Sequence, residues 1–582
     1  MQYVVVELPD GSVRSIRVSV LATGELEIGD ETHVPADSFA QWVSELEREC
    51  TPRWIWADTS IIYTRLLREG VRIERAHDLR LARAILRNNR WTNRSPFSPL
   101  EDSERQEADS WNCPPPEISD ALFDTSPAIL GDPIAEYRRQ MRVLGSASPE
   151  RRGRLTYLLA AESAGGLIAA EMTHAGVPWD VGIHDSLLSQ ALGPRPAFGI
   201  RPVKLERLAE QIRESLDSPH LNPDSPKDLL RALNSAGLDV KSTAKWEIRD
   251  LRHPVVPVLL EYKKLHRMMT ANGWTWMDEW IREGRFRPVY VPGGVVTGRW
   301  GADGGGALQL PHFVRPAAVA DPGWTFVIAD AAQLEPRILA AMSGDLAMAS
   351  AGRGHDMYQG IADAGVVESR EHAKYGMLGA MYGGTTGVSA QVLPKFKIAF
   401  PRAMDLVEGA ARAGEQGGTV HTWLGRTSLP GHFGNTVEGD DAEFSQDRRT
   451  RARSYGRFTR NFICQGTAAE WALLWMAGVR QRLRKMTLET SPRVANPDAL
   501  GSIAEGDTTA GPFRPDPVTV GPHLAFFLHD EILIHTPEGI AEQVAQAVHD
   551  AAREAGHTLF GQTDVEFPVS ATISRTYANP KS

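Results

Sequence analysis

Apolar residues surround three adjacent titratable side chains near the carboxyl end of this chain, in FFLHDEILIH, residues 526–535. The apolar run on both sides predicts a β-strand or a hairpin. Burying an unpaired carboxylate costs several kcal/mol or raises its pKa until it becomes neutral. We therefore expect His529, Asp530 and Glu531 to meet a metal, a cationic partner or a tight turn.

The length and the cysteine content limit the class of protein. A chain of 582 residues is too long for one compact core, so two or more domains are expected. The three cysteines, Cys50, Cys113 and Cys464, are far apart, which excludes a disulfide framework or a C-x-x-C metal site and favours a reducing compartment. The start, MQYVVVELPDG, does not resemble a signal peptide, and no apolar run is long enough to span a membrane. We expect a cytoplasmic protein.

Charge gives only a local indication of partners. A net charge of −10 does not favour nucleic-acid binding by the chain as a whole. Residues 447–460, however, carry six arginines, and EYKKLHR at 261–267 is also basic. Each patch is either a solvated charge run or a contact surface for phosphates.

Sequence patterns divide the chain into an N-terminal α/β part and a mainly helical remainder. YVVVEL and RSIRVSVL predict two strands joined at a DG turn, and residues 53–87 predict strand, helix, strand and helix. The polar, proline-rich residues 88–120 indicate a linker. Helical patterns follow at 134–145, 156–175 and 256–270, and residues 487–520 predict a long surface loop.

A second acidic residue follows a predicted strand in WTFVIADAAQLEPRILAAMSGD, residues 324–345. The strand 326–329 would place Asp330 at its end, before an amphipathic helix. Taken alone, Asp330 is more simply interpreted as a helix N-cap. Together with Asp530, it suggests two strand-borne aspartates that converge on one or two Mg²⁺ ions.

A third segment, REHAKYGMLGAMYGG at residues 370–384, predicts a helix with a chemically distinctive stripe. Arg370, Lys374, Leu378 and Tyr382 are four residues apart, which places them along one side of the helix. Two cations, an apolar group and an aromatic ring suit the phosphates, sugar and base of a nucleoside triphosphate. The alternative is a solvated basic turn with Leu378 and Tyr382 in the core.

Together, in this order, the three segments resemble DNA polymerase family A, the DNA polymerase I family. Asp330, Gln333, Glu335 and Arg337 resemble its first palm motif, R-x3-K-x7-YG resembles its fingers helix, and HDE resembles its last palm motif. Further segments are similar to the family's Thr-Gly-Arg, Leu-Gln and Arg-Asn-Gln-Gly-Thr motifs: TGRW at 297–300, LQLP at 308–311 and RFTRNFICQGTAAE at 457–470. The resemblance covers roughly residues 131–582, and the chain resembles the short actinobacterial or phage type.

The resemblance implies an α/β multidomain protein with a small N-terminal α/β domain and a right-hand polymerase. The N-terminal residues 1–90 would form a degenerate 3′→5′ exonuclease-like domain, followed by a linker at 91–130. The polymerase would comprise a helical thumb at about 131–290 and helical fingers at about 346–415. Its palm, with an antiparallel sheet, would comprise about 291–345 and 416–582.

The resemblance also implies roles for individual residues. Asp330, Asp530 and the backbone carbonyl of Ala331 would hold two Mg²⁺ ions, with Mn²⁺ as an alternative, and Lys374 would donate a proton to pyrophosphate. Glu531 would lie near the metals or be structural. The nucleotide would be contacted by Arg370, Lys374, Tyr382, Glu335, Gln333, Leu378 and Tyr358. The DNA would be contacted by Arg299, Gln465, His529, Arg457 and Asn461.

The DNA contacts would fall in the minor groove, where every base pair offers acceptors at purine N3 or pyrimidine O2. Donors there check the shape of a pair without reading its sequence. Arg457, Asn461 and Gln465 are four residues apart and share one helix face.

Three positions depart from the family pattern. Leu378 stands where the family usually has Phe or Tyr, which affects discrimination at the sugar. Tyr358 replaces a His that contacts the triphosphate, so weaker nucleotide binding is expected. Ala331 replaces a Tyr, but its predicted metal contact is through the backbone.

The N-terminal part lacks most of an exonuclease site. Such a site needs four carboxylates, beginning with Asp-x-Glu on the first strand, and YVVVELPDG has none. Only Asp58 and Asp78 remain, so an inactive scaffold is expected. The expected function is template-directed DNA synthesis by a monomer acting on primer–template DNA and dNTPs. The alternatives are a catalytically silent primer–template-binding protein and a Mg²⁺-dependent nuclease built on the N-terminal acids.

Overall fold

The computed structural model describes residues 1–21, 24–99, 131–354, 356–384, 387–431, 442–490 and 516–578, with single residues 101, 104, 107, 109 and 111. The chain forms two compact units. The larger unit comprises Met1–Ala175, Val289–Asp303 and Gly323–Ile573. The smaller unit comprises Gly176–Pro288, Gly304–Pro322 and Ser574–Ser582. The names thumb, palm and fingers, and their boundaries, stay predictions.

The N-terminal part of the larger unit is a five-stranded sheet of order β3-β2-β1-β4-β5. Its strands are β1 Gln2–Glu7, β2 Val13–Val20, β3 Leu26–Val34, β4 Arg53–Trp56 and β5 Arg75–Asp78. Its helices are α1 Phe39–Cys50, α2 Thr59–Arg68 and α3 Leu79–Leu86. The predicted hairpin and the predicted strand–helix–strand–helix run are confirmed. Strand β3 and helix α1 were not predicted; β3 is exposed over most of its length and has no apolar alternation.

Two helices link this sheet to the rest of the larger unit. They are α4 Pro133–Gly145 and α5 Pro149–Ala175, which confirms the predicted helices, although α5 begins earlier than expected. Glu171 of α5 accepts hydrogen bonds from Arg72 and Arg480 within a buried group. Burial opposes its ionisation, but the two guanidinium groups outweigh burial and hold the pKa of Glu171 below its usual range.

The smaller unit is mostly helical and carries a three-stranded sheet of order β6-β8-β7. Its strands are β6 Val177–Pro178, β7 Ile281–Arg282 and β8 Arg285–Phe286. Its helices are α6 Val181–Leu192, α7 Val203–Ser215, α8 Pro226–Ser235, α9 Lys245–Ile248, α10 Val255–Asn272 and α11 Trp274–Trp280. Helix α10 confirms the helix predicted at 256–270. The ring centroid of Trp276 lies 5.7 Å from that of Trp179 and 5.1 Å from that of Phe286, a residue of β8.

A second sheet in the larger unit carries the acidic motifs. It has four strands in the order β12-β13-β11-β14, and β13 pairs antiparallel with both β11 and β12. These strands are β11 Trp324–Ala331, β12 His523–Leu528, β13 Glu531–Pro537 and β14 Val569–Ser574. A separate two-stranded pair is formed by β9 Tyr290–Val291 and β10 Gly301–Ala302. The sheet packs against a C-terminal helix, α19 Ala541–Phe560, which contacts β11 and β13.

The remaining helices of the larger unit surround a core of Met, Phe and Ala side chains. They are α12 Leu334–Ser343, α13 Leu346–Ala351, α14 Met357–Asp363, α15 Arg370–Tyr382, α16 Gly387–Ala399, α17 Pro401–Glu415 and α18 Ala442–Thr490. Helix α18 is 49 residues long. The loop predicted at 487–520 is wrong at its start, because residues 487–490 complete α18. Residues 491–515 lie outside the described part. No helix of the described part combines the length and hydropathy needed to cross a membrane.

Candidate active site

The polar triplet of the sequence lies at the turn of a hairpin. Strand β12 ends at Leu528 and β13 begins at Glu531, and these two residues are cross-strand partners. His529 and Asp530 form the connection, and His529 is exposed, with a positive φ of 59°. Of the two predicted alternatives, the hairpin is observed. Because the turn lies at the rim of the sheet, the apolar strands β12 and β13 can carry His529, Asp530 and Glu531 without burying all three side chains.

The hairpin brings the two predicted aspartates to the same end of adjacent strands. Asp330 on β11 is the cross-strand partner of Glu531 on β13, and the amide of Ala331 donates to the carbonyl of Asp530 at 3.0 Å. Burial raises the pKa of Asp530 to about 6, and the negative charge of Asp330 adds to the rise. The N-cap interpretation of Asp330 is wrong, because Gln333 occupies the N-cap position of α12.

This pair of carboxylates fits a divalent cation. The charge of Asp330 disfavours ionisation of Asp530, and a bound cation would offset that repulsion. Carboxylate oxygens and a backbone carbonyl such as that of Ala331 are ligands that Mg²⁺ prefers. Among the described residues, no group of three or more His, Cys, Asp or Glu side chains surrounds a single metal position. Mg²⁺ is commonly held by one or two carboxylates, with substrate phosphates and water at its other positions.

Gln333 and Arg337 stabilise the entry to α12. Gln333 has a φ of 48°, and its side-chain amide donates to Asp356 at 3.1 Å. Its amide oxygen accepts from the backbone of Met357 at 3.3 Å. Arg337 is buried and donates to the backbone carbonyls of Ala332, Gly352 and Glu566. The first motif therefore anchors α12 and α14 as well as presenting Asp330.

Helix α15 presents its predicted stripe next to Asp356. Arg370 donates to Asp356 at 2.9 Å, and its guanidinium lies 5.7 Å from the ring centroid of Tyr358. Lys374 is exposed one turn later, and Leu378 is half-buried against the helical core. The two cations are therefore accessible at the surface of the helix. The alternative prediction, which placed Leu378 in the core, is partly correct because this side chain packs against the core but is only half-buried.

Tyr358 lies among the acidic groups of the site. Burial raises the pKa of Tyr358 to about 12, and the charges of Glu335 and Asp356 contribute to the rise. The phenol is therefore neutral at physiological pH and available as a hydrogen-bond donor.

Four of the predicted motifs meet around Glu335. The hydroxyl of Tyr382 donates to Oε2 of Glu335 at 2.8 Å, and Arg299 donates to Oε1. Gln465 also hydrogen bonds to Tyr382. Burial, followed by the charge of Glu335, raises the pKa of Tyr382, which keeps the phenol protonated. The TGRW segment, α12, α15 and α18 therefore meet around one carboxylate.

The other predicted DNA-contacting residues lie along α18. Arg457 is exposed, and its aliphatic stem lies against Gly383 at the end of α15. Asn461 and Gln465 are half-buried on the following turns. The structure thus brings together the residues of the acidic hairpin, α12, α15 and α18 within the larger unit.

Several residues of the site were missed from the sequence. Asp356 begins α14 as its N-cap and also binds Arg370 and Gln333. An aspartate before a short helical run indicates a cap, but its tertiary partners leave no local signal. Arg426 pairs with Glu162, which is 264 positions away, so no sequence pattern could reveal that pair.

Known proteins resemble this chain in sequence and in fold. The model of DNA polymerase family A matches residues 202–579. DNA polymerase I of Chloroflexus aurantiacus is 25% identical over 352 residues, which is 55% of this chain and 32% of the relative. The thermostable DNA polymerase I of Thermus filiformis is 24% identical over 374 residues, covering 59% of this chain and 38% of the relative. The matches thus span about a third of the length of these two relatives.

A solved structure has the same fold. It is described as the POL domain of Pol1 from M. smegmatis in complex with DNA primer-template and dNTP. The match has a TM-score of 0.64 at 18% identity and covers 99% of this chain and 95% of that one. At that identity the match supports the fold alone. The family model, in contrast, covers well over half of the chain, so this protein belongs to DNA polymerase family A.

Proposed function

We propose that the protein is a template-directed DNA polymerase that adds dNTPs to a primer 3′-hydroxyl and releases pyrophosphate. The observation that carries the proposal is the convergence of Asp330 and Asp530 at the rim of one sheet. Two carboxylates that repel each other are poorly suited to a purely structural role. They are well suited to holding divalent cations.

Asp330, Asp530 and the Ala331 carbonyl would hold two Mg²⁺ ions, and Mn²⁺ has the same ligand preference. When bound, the ions would supply acidification of the primer hydroxyl and charge neutralisation on the triphosphate. Asp530 lies at the turn between β12 and β13, and its backbone carbonyl accepts a hydrogen bond from Ala331, the residue after Asp330. The protein's own task here is to hold the two carboxylates close together, and the cations would favour their ionised forms.

The fingers helix α15 would bind the nucleotide. Arg370 and Lys374 are accessible cations one turn apart, suited to the phosphates, and Lys374 would donate the proton to pyrophosphate. Asp356 accepts a hydrogen bond from Arg370 and holds its guanidinium in place. Tyr358, Gln333 and Leu378 would border the triphosphate and sugar.

The residues around Glu335 would test the sugar and the base pair. The Glu335 carboxylate, fixed by Tyr382 and Arg299, would crowd the 2′ position and reject ribonucleotides. Tyr382 would pack near the templating base. Donors to the minor groove would come from Arg299, Gln465, His529, Arg457 and Asn461.

We further propose that the N-terminal sheet has no exonuclease activity. Asp58 accepts hydrogen bonds from Ser60 and, at 2.6 Å, from Arg80. Asp78 accepts from the amides of Thr59 and Leu81 at 2.7 and 2.8 Å. Both carboxylates are thus engaged as helix caps. A two-metal nuclease would need further carboxylates, beginning with an Asp-x-Glu pair, and the QYVVVE sequence of strand β1 has no such pair.

Primer extension tests the proposal directly. The purified protein and its Asp530→Asn variant are mixed with a labelled primer–template, dNTPs and MgCl₂. Extension by the wild type and a loss of about 100-fold or more in the variant are expected. A wild type that shifts the primer–template in a gel but never extends it would instead support the silent DNA-binding alternative.

The same reactions without dNTPs test the second part. No shortening of the primer is expected, and a ladder of shortened products would overturn the inactive-exonuclease proposal and favour the nuclease alternative. We propose that the protein acts as a cytoplasmic monomer. Sedimentation of the enzyme with and without primer–template tests the monomeric state.

A further inference from the structure

We propose that Arg426 is a positioning residue that sets the Thr297–Arg299 turn, and thereby the minor-groove contact of Arg299, through its buried pairing with Glu162. The inference rests on the proposed polymerase function. It assigns a role to a hairpin, residues 420–428, that no predicted motif includes.

Arg426 and Glu162 form a buried ion pair between this hairpin and α5. Nη2 of Arg426 donates to Oε2 of Glu162 at 2.6 Å, and their side chains are 10% and 1% exposed. Breaking such a pair leaves an uncompensated buried charge. The guanidinium is therefore held in one orientation.

Both members of the pair press on the segment that carries Arg299. A Cβ at Gly298 would lie 2.5 Å from Nε of Arg426, and a Cβ at Gly293 would lie 2.4 Å from Oε1 of Glu162. Gly298 and Gly293 have φ values of 89° and 63°. The backbone thus rests directly on the two charged groups, where only glycine fits.

The turn itself is short and internally bonded. The amide of Gly298 donates to the carbonyl of Val295 at 2.7 Å, and the amide of Val295 donates to the carbonyl of Arg299 at 3.1 Å. A displacement of Gly298 would therefore move Arg299 with it. Because Arg299 also donates to Glu335, the same displacement would reach the proposed sugar-checking carboxylate.

The hairpin that carries Arg426 is fixed from two further sides. Glu470 of α18 accepts from the hydroxyl of Thr422 and from the amide of Leu424, the latter at 3.0 Å. From the N-terminal part, Asn89 donates to the carbonyl of Gly425 at 2.7 Å. The ring of Trp91 would lie 2.4 Å from a Cβ at Gly425. The segment that follows α3 therefore contributes to the support of Arg426.

The test compares primers that end in guanine or 3-deazaguanine, which lacks the minor-groove acceptor N3. The wild type is expected to lose about 10- to 100-fold in kcat/KM on the modified primer, as for one charge-assisted hydrogen bond. Arg426→Met and Glu162→Gln should be impaired on the normal primer and lose less than about 3-fold further on the modified one. Arg426→Lys keeps the charge but not the flat contact with Gly298, and should resemble Arg426→Met.

Glu171→Gln is the matched control. It also removes a buried carboxylate of α5 that pairs with arginines, but Glu171 has no contact with the Thr297–Arg299 turn among its described hydrogen bonds. It should lower the melting temperature and keep the full sensitivity to 3-deazaguanine. Circular dichroism shows which variants fold. If Arg426→Met does not fold, Glu162→Gln provides the comparison with the wild type.

The outcomes separate the inference from the function on which it rests. Variants of Arg426 and Glu162 that stay as sensitive as the wild type would overturn the positioning role. A wild type that extends both primers equally would overturn it as well, but its extension would still support the polymerase. Absence of any extension would overturn the proposed function itself.

Discussion

The hydroxyl of Tyr382 donates a hydrogen bond of 2.8 Å to Oε2 of Glu335, a residue 47 positions earlier in the chain. Arg299 donates to the other oxygen of the same carboxylate. A carboxylate held by two donors cannot rotate away from a crowded neighbour without losing charge-assisted hydrogen bonds. The rigidity of Glu335 is the structural basis of the sugar discrimination proposed above.

Replacing Glu335 should therefore relax sugar discrimination. Glu335→Ala is expected to lower the ratio of kcat/KM for dCTP over CTP by roughly 10- to 100-fold, because the crowding carboxylate is gone. Tyr382→Phe keeps the carboxylate but loses one restraint, so its effect should be smaller. Single-nucleotide incorporation measures both ratios. An unchanged ratio in Glu335→Ala would show that the carboxylate does not meet the sugar.

Removing the guanidinium of Arg370 should weaken nucleotide binding. Arg370→Met is expected to raise KM for dNTPs about 10- to 100-fold, with primer–template affinity unchanged, since the cation would meet the triphosphate rather than the DNA. Arg402→Met is the control, because Arg402 is also exposed on a helix of the larger unit, and its guanidinium donates to the carbonyl of Gly344 rather than to Asp356. Equal KM values for the two variants would contradict the role of Arg370.

Glu470 should make stability depend on pH. Burial raises the pKa of its carboxyl group to about 7, and hydrogen bonds from Thr422 and Leu424 only partly oppose the rise. Its folded-state pKa thus lies above the unfolded value of about 4.3. The stability it contributes is complete below pH 4.3, decreases as pH rises towards 7, and is lost above that.

A glutamine variant isolates this effect. The free energy of unfolding of Glu470→Gln should increase by about 3 kcal/mol relative to that of the wild type between pH 4.5 and pH 8, because the wild type loses stability. Most of this change should occur below pH 7. Denaturant titrations at several pH values provide the measurement. A difference that is independent of pH would mean that Glu470 stays ionised in the folded protein.

The capping role of Asp78 predicts a loss of stability without a loss of chemistry. Asp78→Ala removes acceptors for the amides of Thr59 and Leu81 and should cost about 1–3 kcal/mol of unfolding free energy. The variant, like the wild type, should not shorten primers. If wild-type protein shortens primers and the variant does not, Asp78 is a nuclease residue after all.

Local patterns were sufficient for much of the fold. The β-branched runs of β1 and β2, the apolar spacing of α10 and the four-residue spacing in α15 depend only on neighbours in sequence, and each predicted element is present. Strand β3 was missed because its mostly exposed side chains carry no alternation. The end of α18 was missed because residues 487–490 continue the helix without a distinctive pattern.

By itself, the sequence determined the family and the identity of the acidic, basic and aromatic groups, since ordered motifs survive as local strings of residues. Only the tertiary structure decided how they combine. The antiparallel register pairs Asp330 with Glu531, and a turn rather than a strand carries Asp530. The pairing of Arg426 with Glu162 depends on packing between segments 264 positions apart. Such contacts are set by the burial of charge in three dimensions, which no local spacing encodes.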